Sequence, residues 1–399
     1  MLDIWPALPL NIRCDGYSRD GADNIIAALK RSDRVCKINL LNLRSSDFQV
    51  CLAEMQRPFP ELTHLTLWSN DKTVPVDPDS ESFLGGSAQH LQYLLLHRCL
   101  FLGLPKLLLS TTHLVNLFLL DIPHSGYISP DAMVTVLSTL ISLEHLSLDF
   151  HSPRSCPDWA SRRPPPSTRS VLPILTNFSF KGVSEYLEDL VACIDTPQLN
   201  DLVITFFNDI IFDTPQLMQF IDRTPTSGTL EKAQIVFRVG RTNTKFSSHT
   251  PGYGEFGLGI LCGGLDWQVS SLEQLCIPRL RPLSMSQDLY IYEVKTDWKD
   301  NIENRLWLEL LRPFTAVKNL YLSKKLAPLI ALPLQELIEG TVMVLPALQT
   351  IFLEGLESSG PVLEGIGRFV AARQSASHPI AISPWTDAEQ FIRRESGYL

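Results

Sequence analysis

The motif L-x-x-L-x-L recurs along this chain, and the recurrence limits what it can fold into more than any other feature. Full copies stand at Leu62/Leu65/Leu67, Leu91/Leu94/Leu96, Leu114/Leu117/Leu119 and Leu143/Leu146/Leu148. Degenerate copies follow at Leu175/Phe178/Phe180, Leu199/Leu202/Ile204, Leu230/Ala233/Ile235, Leu272/Leu275/Ile277, Val317/Leu320/Leu322 and Leu348/Ile351/Leu353. Val35/Ile38/Leu40 opens the series. The full copies are 29, 23 and 29 residues apart, whereas steps of 42 and 45 from Leu230 to Leu272 to Val317 imply insertions. In L-x-L both apolar side chains leave a short strand on the same side, and the earlier leucine turns inward at the bend that enters it. One such strand cannot bury its apolar face alone. Stacking successive strands in parallel joins the faces into a continuous core.

Helix-forming segments lie between the strands. Ser129-Pro130-Asp131 places an N-cap and a first-turn proline ahead of apolar residues 132–137, and Thr214-Pro215 repeats the device ahead of 216–221. Further helices are expected over 22–31, 47–56, 185–194, 302–311, 329–338 and 362–372. The expected fold is α/β: a single leucine-rich-repeat solenoid (horseshoe) over residues 1–399, with parallel concave strands and convex helices. Two interruptions are expected in it. One is an exposed Pro-rich loop over 152–170, around Pro164-Pro165-Pro166. The other is an irregular insertion over 238–271, where Gly252, Gly254 and Gly257 spell G-x-G-x-x-G. The residues ahead of that motif, Ser247-Ser248-His249-Thr250-Pro251, are too polar for the buried strand a dinucleotide site requires.

Composition then removes function classes. With 34 basic against 43 acidic residues the net charge is −9, which argues against a general nucleic-acid binder, since that needs a basic stripe facing phosphates. Only 19% of residues are charged while 64 are leucine, as a large shared core demands. The eight cysteines include no C-x-x-C pair, which points to reduced, buried thiols and not to a zinc site or a disulfide scaffold. The most apolar stretch, 104–122, carries Lys106, His113, Asn116 and Asp121, so no membrane span is expected. Without a basic and apolar leader, the expected setting is cytoplasmic or nuclear. No phosphate-loop, nucleophile-elbow or H-E-x-x-H motif is present. His64 and His145 share one repeat position on strands too distant to chelate one ion, and Glu188-Asp189 reads as the solvent side of a helix. Neither an enzyme nor a metal or cofactor site is expected.

What remains is a binding surface built from the residues between the leucines. The candidate partner-binding residues are Trp68, Tyr93, His97, Phe118, His145, Asp149, Lys181 and Tyr321. Large aromatic side chains bury much area for little lost entropy, which suits them to recognition. Gln274 and Cys276 belong to the same set by position in the motif.

Several whole phrases resemble the F-box and leucine-rich-repeat-like proteins expanded in mushroom-forming fungi. They are Trp5-Pro6-Ala7-Leu8-Pro9-Leu10, Asp23-Asn24-Ile25-Ile26-Ala27-Ala28-Leu29, Ser82-Phe83-Leu84-Gly85-Gly86-Ser87-Ala88, Ile122-Pro123-His124-Ser125-Gly126-Tyr127-Ile128-Ser129-Pro130 and Phe314-Thr315-Ala316-Val317-Lys318-Asn319-Leu320-Tyr321-Leu322. The resemblance extends over most of the chain. It implies the substrate-receptor half of a Skp1–cullin–F-box ubiquitin ligase, in which a helical F-box docks on Skp1 and the repeats hold the target. This sequence departs from that plan, because a strand candidate over 8–12 follows so soon after Met1 that no F-box fits ahead of the repeats. Skp1 is therefore not an expected direct partner. The expected partner is an unidentified protein on the concave face, held by receptor repeats or by a stand-alone repeat protein.

Overall fold

The first leucine of each full copy closes a turn. Its amide donates to the carbonyl three residues back, Leu62 to Phe59, Leu91 to Ala88, Leu114 to Thr111 and Leu143 to Leu140, at 3.1–3.2 Å. The strand starts two residues on, and every leucine of these four copies is at most 2% exposed. The computed structural model describes residues 8–16, 22–69, 82–99, 103–155, 168–207, 214–224, 230–248, 254–276, 284–294, 302–336, 344–356 and 360–396. Where the sequence reading placed 1–399 in one solenoid, contacts divide the chain into two compact units. Unit 1 is Met1–Leu199 with Thr214–Thr224; unit 2 is Asn200–Asp213 with Pro225–Leu399.

In unit 1, β1 (Leu10–Cys14), β2 (Val35–Leu41), β3 (His64–Trp68), β4 (Tyr93–His97), β5 (Asn116–Ile122) and β6 (His145–Phe150) pair in parallel in chain order. After the short β7 (Ser170–Val171), β8 (Asn177–Gly182) joins β6. β7 itself pairs with β9 (Ile194–Asp195) in a separate two-stranded ladder. The helices α1 (Ala22–Leu29), α2 (Ser45–Glu54), α3 (Leu104–Leu109), α4 (Pro130–Leu137), α5 (Ser184–Ala192) and α6 (Pro215–Arg223) cover the apolar side. Phe178 meets Phe220 of α6 edge-on at 6.5 Å, and Phe150 and Phe180 meet Tyr186 of α5. The leucine positions thus face helices, and the residues between them form an open face on the other side of the sheet.

Ser129 caps α4 as its sequence requires, its Oγ accepting from the Ala132 amide at 3.3 Å. Thr214 does not cap α6 in the same way. That role falls to Glu188 of α5, whose carboxylate accepts from the amides of Gln216 and Leu217 at 3.0 and 2.8 Å. Glu188 is 5% exposed, which corrects its reading as a solvent-facing residue. An N-terminal helix end needs acceptors for its free N–H groups, and a buried end must find them in the protein.

Unit 2 contains β10 (Asp201–Phe207), β11 (Lys232–Arg238), β12 (Arg241–Ser247), β13 (Glu255–Leu261), β14 (Asp288–Val294), β15 (Asn319–Leu322), β16 (Thr350–Leu353) and β17 (Ala381–Pro384). Its sheet runs β10-β13-β12-β11-β14-β15-β16-β17. β11, β12 and β13 are antiparallel neighbours, and all other pairs are parallel. The helices are α7 (Leu265–Cys276), α8 (Asn304–Leu311), α9 (Ala327–Glu336), α10 (Pro361–Ser375) and α11 (Ala388–Ser396).

Two expectations fail here. The insertion over 238–271 is regular, forming β12, β13 and the first half of α7. Gly257 lies inside β13, and Gly252 lies outside the described residues. The copy at Leu272/Leu275/Ile277 is no strand: Leu272 sits in α7, and Ile277 lies outside the described residues. Leu265, Val269 and Leu272, all fully buried, recur at helical spacing, and this longer period overrides the short motif. Gln274 and Cys276 are therefore helical, not on an open strand face. Most of the Pro-rich loop 152–170 lies outside the described residues.

Cys14, Cys36, Cys51, Cys99, Cys193 and Cys262 are free thiols. Burial, then the nearby charges of Cys14 and Asp47, push the Cys51 thiol up to about 11. Burial pushes Cys99 up to about 12, and its Sγ donates to the Leu67 carbonyl at 3.2 Å. Thiolates are the reactive form, so Cys51 and Cys99 are expected to resist a disulfide reagent in the native protein and react on unfolding. Half-buried Cys14 and Cys36 serve as the reactive comparison. A thiol titration followed by peptide mapping checks this; rapid native labelling of Cys99 would contradict its burial. No helix among the described residues is long and apolar enough to cross a membrane.

Candidate functional site

Parallel pairing that keeps its register up to a shift after Leu119 of β5 puts equivalent open-face positions side by side. His64, Tyr93, Asn116, His145 and Asn177 form one row across β3, β4, β5, β6 and β8. Thr66, Leu95, Phe118, Ser147 and Ser179 form the next, and Trp68 stands beside His97 in a third. Rows of this kind follow from the two-residue period of a strand together with a constant register.

The rings in these rows touch. Trp68 stacks on His97 with centroids 3.9 Å apart and planes 8° apart. His64 stacks on Tyr93 at 5.9 Å, and Tyr93 leans on Phe118 at 5.5 Å. All five rings are half-buried. Burial pushes the His97 imidazole below its ordinary value, although the bond to Ser69 opposes this. A neutral imidazole within 3.1 Å of the Ser69 carbonyl must carry its proton on Nδ1, which leaves Nε2 as an acceptor.

A charged cluster borders the rings at the carboxyl ends of the strands. Asp121 pairs with Arg98 and, at 2.7 Å, with His151. Lys181 pairs with Asp149 at 2.9 Å. Burial works to raise the Asp121 carboxyl, but Arg98 and His151 together hold it below its ordinary value. At Asp149 burial prevails over Lys181 and raises the carboxyl. Arg98 and Asp121 both occupy the left-handed backbone region, at φ 58° and 56°, which non-glycine residues adopt at a cost of about 1–2 kcal/mol. Strain of this sort collects where surrounding structure fixes a site.

Seven of the eight sequence-derived residues, Trp68, Tyr93, His97, Phe118, His145, Asp149 and Lys181, lie on the open face of unit 1. Tyr321 does not join them. It belongs to unit 2, stacked between Tyr290 at 4.1 Å and Phe352 at 4.4 Å, with Trp385 against its edge at 5.5 Å. Sequence reasoning missed Arg98 and His151, which follow β4 and β6, and Asp121, near the end of β5; all three fall outside the motif. Their signal was the dense run of ionisable residues just after three successive L-x-L pairs. Among the described residues no group of three or more His, Cys, Asp or Glu could hold a metal ion. The surface offers flat rings, hydroxyls, amides and ion pairs.

No family model matches the chain, and no curated protein matches it. Among solved structures it is similar to the leucine-rich repeat-containing protein LegL7 from Legionella pneumophila, with 14% identity and a TM-score of 0.30, over 80% of this chain and 93% of that one.

Proposed function

We propose that this chain is a leucine-rich-repeat scaffold that holds a protein partner on the open face of unit 1 and carries out no reaction on it. The observation supporting this reading is the block of stacked, half-buried rings, Trp68 on His97 and His64 on Tyr93, bordered by the Arg98–Asp121–His151 cluster. Rings already held by neighbours lose little freedom on binding, so the area they bury converts efficiently into affinity. Aromatic anchors ringed by polar groups are also how binding energy is commonly concentrated in protein interfaces. In its more specific form the partner is the target of an F-box-type ubiquitin ligase, in a cytoplasmic or nuclear setting. That form rests on the resemblance of the sequence phrases.

The test is affinity capture from the source organism with the wild-type chain and with Trp68→Ala, Tyr93→Ala and Phe118→Ala combined. The triple variant is expected to lose the captured protein while its melting temperature stays close to wild type. Retained capture with a lower melting temperature would show that these rings serve only the fold. A direct binding measurement with purified Skp1 separates the two forms: saturable binding supports the ligase link, and its absence leaves a stand-alone scaffold.

A further inference from the structure

In unit 2 the open face is already occupied. Tyr290, Tyr321 and Phe352 stand in register on β14, β15 and β16, and their rings stack at 4.1 and 4.4 Å with planes 9° and 6° apart. The next strand, β11, brings Gln234 beside Tyr290 in place of a fourth ring. That ring arrives from α11: Phe391 stacks on Tyr290 at 4.6 Å and 15°. Lys232, on β11, holds its ammonium 4.8 Å from the Tyr290 centroid and 4.4 Å from the Phe391 centroid. One turn after Phe391, Glu395 reaches Lys245 of β12 at 3.8 Å, and Lys245 also pairs with Glu255 at 2.8 Å. Trp385 closes the edge, 5.8 Å from Tyr290 and 5.5 Å from Phe391.

The attachment is narrow. α11 has nine residues, too few to hold a helix in water without tertiary contacts. Its outer side, with Glu389, Arg393 and Arg394, is exposed. Phe391 and Glu395, at i and i+4, lie on the side that meets the sheet.

We infer that the open face of unit 2 is a groove for an amphipathic helix carrying an aromatic residue and, four residues later, a carboxylate, and that α11 is its resident occupant. A partner helix of that chemistry takes the groove by displacing α11. This goes beyond the proposed function, since it concerns another unit and other residues. A tethered occupant competes at an effective concentration of ~1 mM, so an outside helix binds the intact chain weakly until the resident is loosened. Loosening it raises apparent affinity in proportion to the open population.

The experiment uses the full chain and a fluorescein-labelled peptide with the sequence of residues 385–396, followed by fluorescence anisotropy. The chain carrying Phe391→Ala and Glu395→Lys is expected to bind the peptide on the order of tenfold tighter than wild type. Adding Tyr290→Ala to that chain, or Phe391→Ala to the peptide, should abolish the gain. Equal affinity for wild type and double variant, or equal binding by the peptide without its phenylalanine, would overturn the inference. Hydrogen exchange on the unaltered chain gives a second reading, independent of how the variants fold. Amides of α11 should exchange about tenfold faster than those of β14 or more, because α11 opens by itself. Equal protection of the two would mean that α11 leaves only when unit 2 unfolds, and the groove would then have no exchangeable occupant.

Discussion

Replacing Phe180 by Ala is expected to destabilise unit 1 by about 3–5 kcal/mol, the range for truncating a fully buried aromatic side chain. Phe180 is 1% exposed and stacks on Tyr186 at 5.9 Å, while Phe150 meets both rings edge-on, at 6.1 Å from Phe180 and 4.7 Å from Tyr186. The space is filled from the strand side as well. A Cβ placed on Gly182 would fall 2.6 Å from Phe180 Cζ and 2.9 Å from Phe150 Cδ2. Parallel pairing of β6 with β8 holds Leu148 beside Phe180, so the backbone cannot settle into the void without giving up ladder bonds. The cost therefore lies toward the upper part of the range, where a cavity stays open. Urea denaturation with a probe in unit 1 measures it. A loss below about 1 kcal/mol would mean that the cluster repacks freely, contrary to the interlocked rings.

Glu188→Ala is the second large effect, at about 2–4 kcal/mol, because it leaves the Gln216 and Leu217 amides without their acceptor at the start of α6. Leu217 is 1% exposed and Glu188 5%, so water does not readily take over. Hydrogen bonds to a charged group contribute about 1.5–3 kcal/mol each, and an unpaired buried donor adds its own desolvation cost. The two terms overlap, since one side chain supplies both bonds. Glu188→Gln keeps one acceptor oxygen and turns an N–H group toward the other amide, so it should fall between wild type and Ala. Denaturation curves of both variants, with exchange rates of the Gln216 and Leu217 amides, check the assignment. If Ala and Gln variants are alike and both within about 0.5 kcal/mol of wild type, Glu188 does not hold the helix end.

Most of the strands were legible because their signal is local. Leu65/Leu67, Leu94/Leu96, Leu117/Leu119, Leu146/Leu148, Leu320/Leu322 and Ile351/Leu353 all sit on strands facing helices, as two-residue alternation demands. β14 carries no full copy of the motif, although its Leu289 and Ile291 alternate in the same way, and the copy at Leu272 falls in a helix before it. In-register residues Asp288, Asn319, Thr350 and Ala381 each stand 31 apart, a constant step that identifies β14 once the series is counted back from Asn319. β12 and β13 gave no such signal. β12 turns Thr242, Thr244 and Phe246 into the core, so two of its three inward positions are polar. β13 carries Gly257 and Gly259 where alternation would place side chains. A Cβ at Gly259 would fall 2.4 Å from Asn243 Oδ1 and 3.1 Å from Thr205 Oγ1, so those side chains would have to shift.

The candidate surface divides along the same line. Trp68, Tyr93, His97 and Phe118 could be placed on one face from spacing alone, because a strand sends alternate residues to opposite sides and a constant register aligns them. The sequence by itself therefore determined the repeat, most of the parallel strands and which residues of those strands face away from the helices. It did not determine what meets those residues. Tyr321 has the same motif position as Phe118 on the open face of unit 1, yet it lies in a stack that Phe391 completes from 70 residues away. Glu188 has the pattern of a solvent-facing helical residue, yet it caps a helix that begins 27 residues later. Periodicity reports on the few residues that share a turn or a strand. Burial of the remainder depends on which distant segment closes over them, and only the tertiary structure decides that.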